Sequence, residues 1–209
     1  MSILREALKW LHPAKCLCCR ALLTSEDTLC DDCSAALRTR DPAEFVGDGF
    51  AWCVAPFVYG KTTQQLIQNL KFHGLHSISE FFGHAIVSTL HGKECDFVTW
   101  VPVSLRRHKE RGYSQSHLIA KVVAKELGKP CLKTLTKTRH TEKQSKLKVS
   151  ERQANVSGAY AVTSDNLAGK RVLLIDDVWT SGSTMIECSS VLREAGAYEV
   201  YGAAACKAR

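Results

Sequence analysis

Arg171-Val-Leu-Leu-Ile-Asp-Asp-Val-Trp-Thr-Ser-Gly-Ser-Thr184 decides how this chain folds. Val172 to Ile175 is an uncharged apolar run, the pattern of a strand buried on both faces of a parallel α/β sheet. It stops at two adjacent carboxylates, Asp176 and Asp177, which are expected at the strand's carboxyl end, where open α/β sheets place their ligands. Thr180, Ser181, Ser183 and Thr184 surround Gly182, and Met185, Cys188, Leu192 and Ala195 then recur at helical spacing, so the loop opens a helix. Amide groups at such a helix start face an anion.

Paired carboxylates accept hydrogen bonds from a diol, while Gly182, lacking a Cβ, lets backbone N–H groups close on a terminal phosphate. A phosphorylated ribose offers both ends. A plainer reading and a sharper rival compete. Thr184-x-x-Glu187 has the form of a capping box, which explains the helix start but not the two aspartates, the glycine and the hydroxyls together. A Walker B strand also ends an apolar run in acids, but it needs an upstream G-x-x-x-x-G-K-[ST] loop that this sequence lacks.

A length of 209 residues with 45% apolar content allows one α/β core and a small appendage. No apolar run approaches the roughly 20 residues that span a bilayer. Residues 1–12, with Ile3, Leu4, Ala7, Leu8 and Leu11 among charged neighbours, read as an amphipathic helix rather than a signal peptide, and a cytoplasmic protein is expected. Ten cysteines in such a chain are thiols or metal ligands rather than disulfides. Cys16-x-x-Cys19 and Cys30-x-x-Cys33, with ten residues between them, have the spacing of a zinc ribbon whose hairpin joins the pairs. Four thiolates suit zinc, and the metal would supply the stability that so small a core lacks. A redox pair is the plainer alternative, and Cys18 is a competing thiol. The formal charge of +7 is uneven: residues 133–152 hold seven Lys and Arg against Glu142 and Glu151, which points to an anionic ligand or partner there.

Residues 38–49 read as a linker, dividing the chain into an amphipathic helix and ribbon over 1–45 and an α/β domain over 46–209. A strand is expected within Phe50 to Tyr59, then helices from Thr62 to Phe72, with Leu66, Ile67 and Leu70 on one face, and from Ser77 to Leu90. A strand from Phe97 to Pro102 leads into a basic loop holding Ser104, Arg106, Arg107, Lys109 and Arg111. The helix after it presents Leu118, Ile119, Val122, Val123 and Leu127. Residues 133–152 lack apolar periodicity and are expected to form a mobile loop or lid. Strands return at Gly158 to Val162 and Glu199 to Cys206.

The aspartate stretch resembles the phosphoribosyl pyrophosphate (PRPP) signature of type I phosphoribosyltransferases. Three further pieces resemble the ComF/GntX family, associated with competence and DNA uptake. They are the four-cysteine ribbon; Val101-Pro-Val with Arg107 and Arg111-Gly-Tyr-Ser-Gln115; and Arg139-x-Thr141-x-x-Gln144-x-x-Leu147, continuing to Arg152-x-x-Asn155. The resemblance implies a type I phosphoribosyltransferase-like, mostly parallel sheet flanked by helices, with an N-terminal zinc ribbon. It also implies PRPP bound with magnesium, single-stranded DNA, and DNA-uptake helicase or processing proteins as partners.

On that resemblance, Asp176 and Asp177 hold the ribose diol and offset positive charge on the ring. Thr180, Ser181, Gly182, Ser183 and Thr184 anchor the 5-phosphate, and Ser104, Arg106, Arg107 and Arg111 receive pyrophosphate. Arg139, Lys143, Lys146 and Lys148 contact single-stranded DNA, with Trp179, Tyr113 and Tyr160 as stacking faces. Two functions follow: a competence protein that binds PRPP and single-stranded DNA, or an active transferase moving phosphoribose to an unknown nitrogen acceptor. Family members commonly carry Asn where Ser114 stands, Ala where Ser183 stands, and a small or aliphatic residue where Trp179 stands; Trp179 is expected to narrow or lid the pocket.

Overall fold

The computed structural model describes residues 14–24, 27–139, 154–163 and 166–208. The N-terminal amphipathic helix and the Lys143, Lys146 and Lys148 positions lie outside them. The main sheet contains β1 (Glu44–Phe45), β2 (Trp52–Val54), β3 (Phe57–Val58), β4 (Phe97–Trp100), β7 (Arg171–Trp179) and β8 (Glu199–Lys207). Its order is β1-β2-β8-β7-β4, with β3 also on β8. All pairings are parallel except β1 on β2. A second pair, β5 (Leu135–Lys137) and β6 (Tyr160–Val162), is antiparallel.

Strand β7 is buried from Val172 to Ile175 because the sheet is covered on both faces. Alternation along the strand sends Leu173 and Ile175 into one cluster with Leu66, Phe82, Ile86, Ile119 and Val123. Val172 and Leu174 enter the other, with Met185, Cys188 and Leu192. The first face is covered by helices α2 (Lys61–Phe72), α3 (Ser77–Thr89) and α5 (Gln115–Glu126), the second by α6 (Ser183–Glu194). Helices α3 and α5 cross closely at Gly83, where a Cβ would fall 2.5 Å from Val122 Cγ1.

Four sequence expectations are corrected. Asp176 and Asp177 lie inside β7, which runs on to Trp179 because β8 keeps pairing as far as Trp179 with Lys207. Strand β4, by contrast, stops at Trp100 opposite Ile175, and that early stop opens one side of β7 at the carboxylates. Residues 38–49 are no free linker: Arg40 N–H donates to the Pro56 carbonyl, and Phe45 pairs with Cys53 as an edge strand. The expected basic loop is a short helix, α4 (Leu105–Arg111), capped by Ser104 and ended at Gly112, whose φ of 78° a side chain would resist. Within the expected lid, Leu135–Lys137 is a strand, and Leu135 is buried.

The ribbon also departs from a plain hairpin. Lys15 and Leu22 form one antiparallel bridge, so the first cysteine pair sits in a turn, but Cys30 caps and Cys33 occupies helix α1 (Asp31–Ala36). Leu17, Cys18 and Leu29 are buried in the same cluster as Leu66 and Leu70.

Candidate functional site

A cavity of about 460 Å³ opens where β4 ends beside β7. Asp176, Asp177, Thr180, Gly182, Ser183 and Thr184 line it together, so of the residues proposed for the diol and for the phosphate only Ser181 is not part of its wall. Arg107 and Arg111 also line it. They stand four residues apart, on one face of α4. Arg106 does not line it; its side chain is 74% exposed and its Nε pairs with Glu110 at 2.8 Å on another face of the helix. Ser104 is spent as the cap of α4, and Ser181 Oγ lies 2.8 Å from Ser183 Oγ. Arg139 lies two residues past β5, donating to the Ser157 carbonyl at 2.6 Å.

The loop has the conformation that the sequence demanded. Gly182 is the N-cap of α6 with φ 79°, and among the described residues no side chain caps the helix. Glu187 is engaged elsewhere, accepting from the Gly158 N–H at 2.6 Å, which disposes of the capping box. Trp179 lines the cavity but is no lid: it is 5% exposed, packs edge-on against Phe45 and Phe50, and lies under the loop. A Cβ on Gly182 would fall 2.8 Å from its ring. Gly182→Ala is therefore expected to cost about 1–3 kcal/mol of folding stability, from the left-handed backbone and the clash, measurable by denaturant unfolding. Unchanged stability would show that the turn is not held by Trp179.

Side chains that sequence reasoning missed complete the site. Lys71 Nζ meets Asp177 Oδ2 at 2.5 Å, and Ser116 Oγ donates to Asp176 Oδ1 at 2.8 Å. The Asp177 N–H donates to the same Oδ1 at 2.8 Å. Burial and the charge of Asp177 push Asp176 well above the usual carboxylate range, its two hydrogen bonds offsetting only part. Burial works the same way on Asp177, but the Lys71 ammonium outweighs it and holds this carboxyl below its usual range. Lys137, from β5, lines the cavity with its ammonium 5.1 Å from the centre of the Tyr160 ring. Burial, then the charge of Arg107, bring it down to about 8. Four cations thus face two carboxylates, a balance that suits a multiply charged anion.

Gln115 is 2% exposed at the cavity wall; its Oε1 accepts from Arg111 at 3.2 Å, while its Nε2 has no partner among the described residues. A buried donor left open costs stability unless a ligand takes it. The helix that begins there is capped by Ser114, whose Oγ accepts from the His117 N–H at 3.4 Å; Ser and Asn are near-equivalent caps, so Ser114 in place of Asn keeps the turn. Trp179 and Tyr160 are both buried, and Tyr113 is half-buried with its hydroxyl on the Leu70 carbonyl, so the first two offer no ring face for stacking outside the cavity they line.

All ten cysteines are free thiols. The Sγ atoms of Cys16, Cys19, Cys30 and Cys33 lie within 4.8 Å of one another and could hold a metal such as zinc. Cys19 Sγ and Cys30 Sγ are 3.7 Å apart, close to the edge of about 3.8 Å that a tetrahedron with metal–sulfur bonds of about 2.3 Å requires. Burial opposes ionisation of Cys16, but the N–H groups of Cys19, Cys30 and Cys18 outweigh it and bring its thiol down to about 6. Cys18 stands outside the tetrad, its thiol 3.9 Å from the Thr62 carbonyl.

Residues 114–209 match the family model of the phosphoribosyl transferase domain. The chain is similar to competence protein F of Haemophilus influenzae, 36% identical over 48% of this chain and 45% of that one. It is similar to competence protein ComFC of Bacillus subtilis, 30% identical over 67% of this chain and 57% of that one. It thus spans about half the length of these two relatives. The DNA utilization protein YhgH of Escherichia coli is 27% identical over 90% of this chain and 88% of its own length.

Proposed function

We propose that this chain, a homologue of competence proteins F and ComFC and of YhgH with a type I phosphoribosyltransferase fold, binds PRPP in the cavity at the end of β7. In this reading it is a competence or DNA-uptake protein of the cytoplasm that also holds single-stranded DNA through basic surfaces. One observation carries the ligand assignment: the two carboxylates and the Gly182 turn line a single cavity with Lys71, Arg107, Arg111 and Lys137. The diol of PRPP would donate to Asp176 and Asp177, its 5-phosphate would take the amides around Gly182, and its diphosphate would meet the arginines. Magnesium would enter on the diphosphate, since Asp177 Oδ2 is already held by Lys71. Zinc would fill the cysteine tetrad as a structural ion, with no open coordination position. Among the described residues, no helix is long and apolar enough to cross a membrane.

Calorimetric titration with PRPP, with and without magnesium, tests the ligand. Saturable, magnesium-dependent binding of one PRPP per chain is expected, with ribose 5-phosphate weaker because it lacks the diphosphate. Absence of heat under both conditions would remove the assignment.

A second reading is favoured by the opposite shifts of the two carboxyls, which resemble an acid–base division of labour. Asp176, raised, would accept the proton of a nitrogen nucleophile displacing pyrophosphate at C1, while Asp177, ionised, would offset charge on the ring. Pyrophosphate release from PRPP across a panel of nitrogen acceptors separates transferase from binding protein. Tight PRPP binding with no turnover leaves the binding role alone.

A further inference from the structure

Helix α2 stands between the cysteine tetrad and the cavity, and it is tied to both. Asn69, 3% exposed, donates through Nδ2 to the carbonyls of Leu17 at 2.7 Å and Cys18 at 2.8 Å. Those carbonyls belong to the turn between Cys16 and Cys19. The Asn69 Oδ1 accepts from Gln65 Nε2 at 2.9 Å, so both ends of this buried amide are engaged. Farther up the helix, the Cys18 thiol lies 3.9 Å from the Thr62 carbonyl, and Thr62 Oγ1 donates to the Ala36 carbonyl at 3.4 Å. Two residues beyond Asn69, about 200° round the helix, Lys71 reaches Asp177 at 2.5 Å. Between them, the Leu70 carbonyl accepts from Tyr113 at 2.5 Å. The last turn of α2 is thus clamped on one side by the ribbon backbone and on the other by the ligand carboxylate.

We propose that metal held by the four cysteines sets the affinity of the cavity for PRPP, because the metal-held turn orients Asn69 and Asn69 keeps Lys71 on Asp177. The inference rests on the reading of the cavity as a PRPP site. Its physical basis is the poverty of the ribbon's own core: Leu17 and Leu29 are its only buried leucines among the described residues, too little to fix the Cys16–Cys19 turn unaided. If the turn loosens, Asn69 is left buried without acceptors, and the end of α2, where carbonyls already lack helical partners, frays. Lys71 then leaves Asp177, which loses both its orientation and its counter-charge. Coupling of this kind is reciprocal, so PRPP must tighten zinc by the same factor that zinc tightens PRPP.

That reciprocity gives a test on the folded, zinc-loaded chain with a readout other than activity. Zinc affinity is measured by chelator competition with and without saturating PRPP, magnesium present throughout, in wild type and in Lys71→Met. Any binding of zinc by PRPP itself is common to both chains, so their difference is what counts. Saturating PRPP is expected to tighten zinc on the order of ten-fold in wild type, and less than about two-fold in Lys71→Met. If Lys71→Met does not fold, Asn69→Leu cuts the same link from the ribbon side and is expected to behave alike. An equal shift in wild type and variant, or none in a wild type that binds PRPP by calorimetry, overturns the coupling. A loaded wild type that binds no PRPP overturns the site assignment instead.

Discussion

Asp176→Asn is expected to leave the protein more stable at pH 7 than the wild type, and to weaken PRPP on the order of 100-fold. Asp176 is held above the usual carboxylate range by burial and by Asp177, so its ionisation opposes folding. The sign follows from linkage: a carboxyl whose folded value is raised contributes stability below its unfolded value of about 3.9, lost as pH rises through the folded value. Asparagine does not titrate, and its Oδ1 still accepts from Ser116 Oγ and the Asp177 N–H. The gain should be small near pH 4 and reach about 1–3 kcal/mol at neutrality. Binding moves the other way, because one acceptor for a ribose hydroxyl becomes uncharged, and charge-assisted bonds of this type contribute about 1.5–3 kcal/mol each. Asp177→Asn separates the two effects. It strands Lys71, so it should destabilise; the Asp177 contribution is present above about pH 3.9 and lost as pH falls through its lowered folded value, while PRPP is lost as in Asp176→Asn. Urea unfolding between about pH 3 and pH 8, with calorimetry at about pH 5 and pH 8, measures all of this. An Asp176→Asn protein that is less stable yet binds PRPP normally would mean that the carboxylates serve the core and not the ligand.

The central site was legible because its signal is local. An apolar strand, two acids, a glycine at positive φ and a helix start lie within fourteen residues, and each needs only its neighbours to be recognised. The cysteine tetrad was legible for the same reason. Lys71 and Lys137 were not. A lysine near the end of an amphipathic helix looks like any solvated lysine, and only the packing of α2 beside β7 brings Lys71 to a carboxylate 106 positions away. Lys137 becomes a cavity residue only because Leu135 is buried and pulls a basic stretch into a strand.

The basic run after β4 shows an intermediate case. Charge density marks the segment but does not distinguish Arg106 from Arg107. Helix periodicity does, since Arg107 and Arg111 share the cavity face while Arg106 pairs with Glu110. Read as a loop, the run gives no reason to separate them; read as a helix starting at the Ser104 cap, it does. A lid role for Trp179 was misjudged because bulk beside a ligand loop suggests obstruction, whereas the ring forms part of the cavity wall. Its neighbours Phe45 and Gly47 come from the stretch read as a linker, so nothing near it in sequence disclosed the aromatic nest beneath the loop.

Affinity for single-stranded DNA is expected to fall about fifty-fold between 50 mM and 200 mM monovalent salt. On the proposed DNA-binding role, four phosphate contacts from Arg139, Lys143, Lys146 and Lys148 would release counterions with a slope of roughly −0.7 each, about −2.8 in total, and a four-fold rise in salt would then give that loss. The burial of Trp179 and Tyr160 strengthens the expectation, because it withdraws two rings that would otherwise add salt-insensitive stacking. Changing Lys143, Lys146 and Lys148 together to Ala leaves Arg139, already engaged with the Ser157 carbonyl, and should reduce the slope to about −0.7. Filter binding or fluorescence anisotropy over a salt series, on strands of differing sequence, measures the slope and its indifference to base. If Arg107→Ala with Arg111→Ala flattens the slope more than the triple lysine change, the strand enters the cavity mouth and competes with PRPP. If the wild-type slope is flat, electrostatic capture of DNA by this segment is wrong, and the competence role must rest on the sugar-phosphate cavity alone.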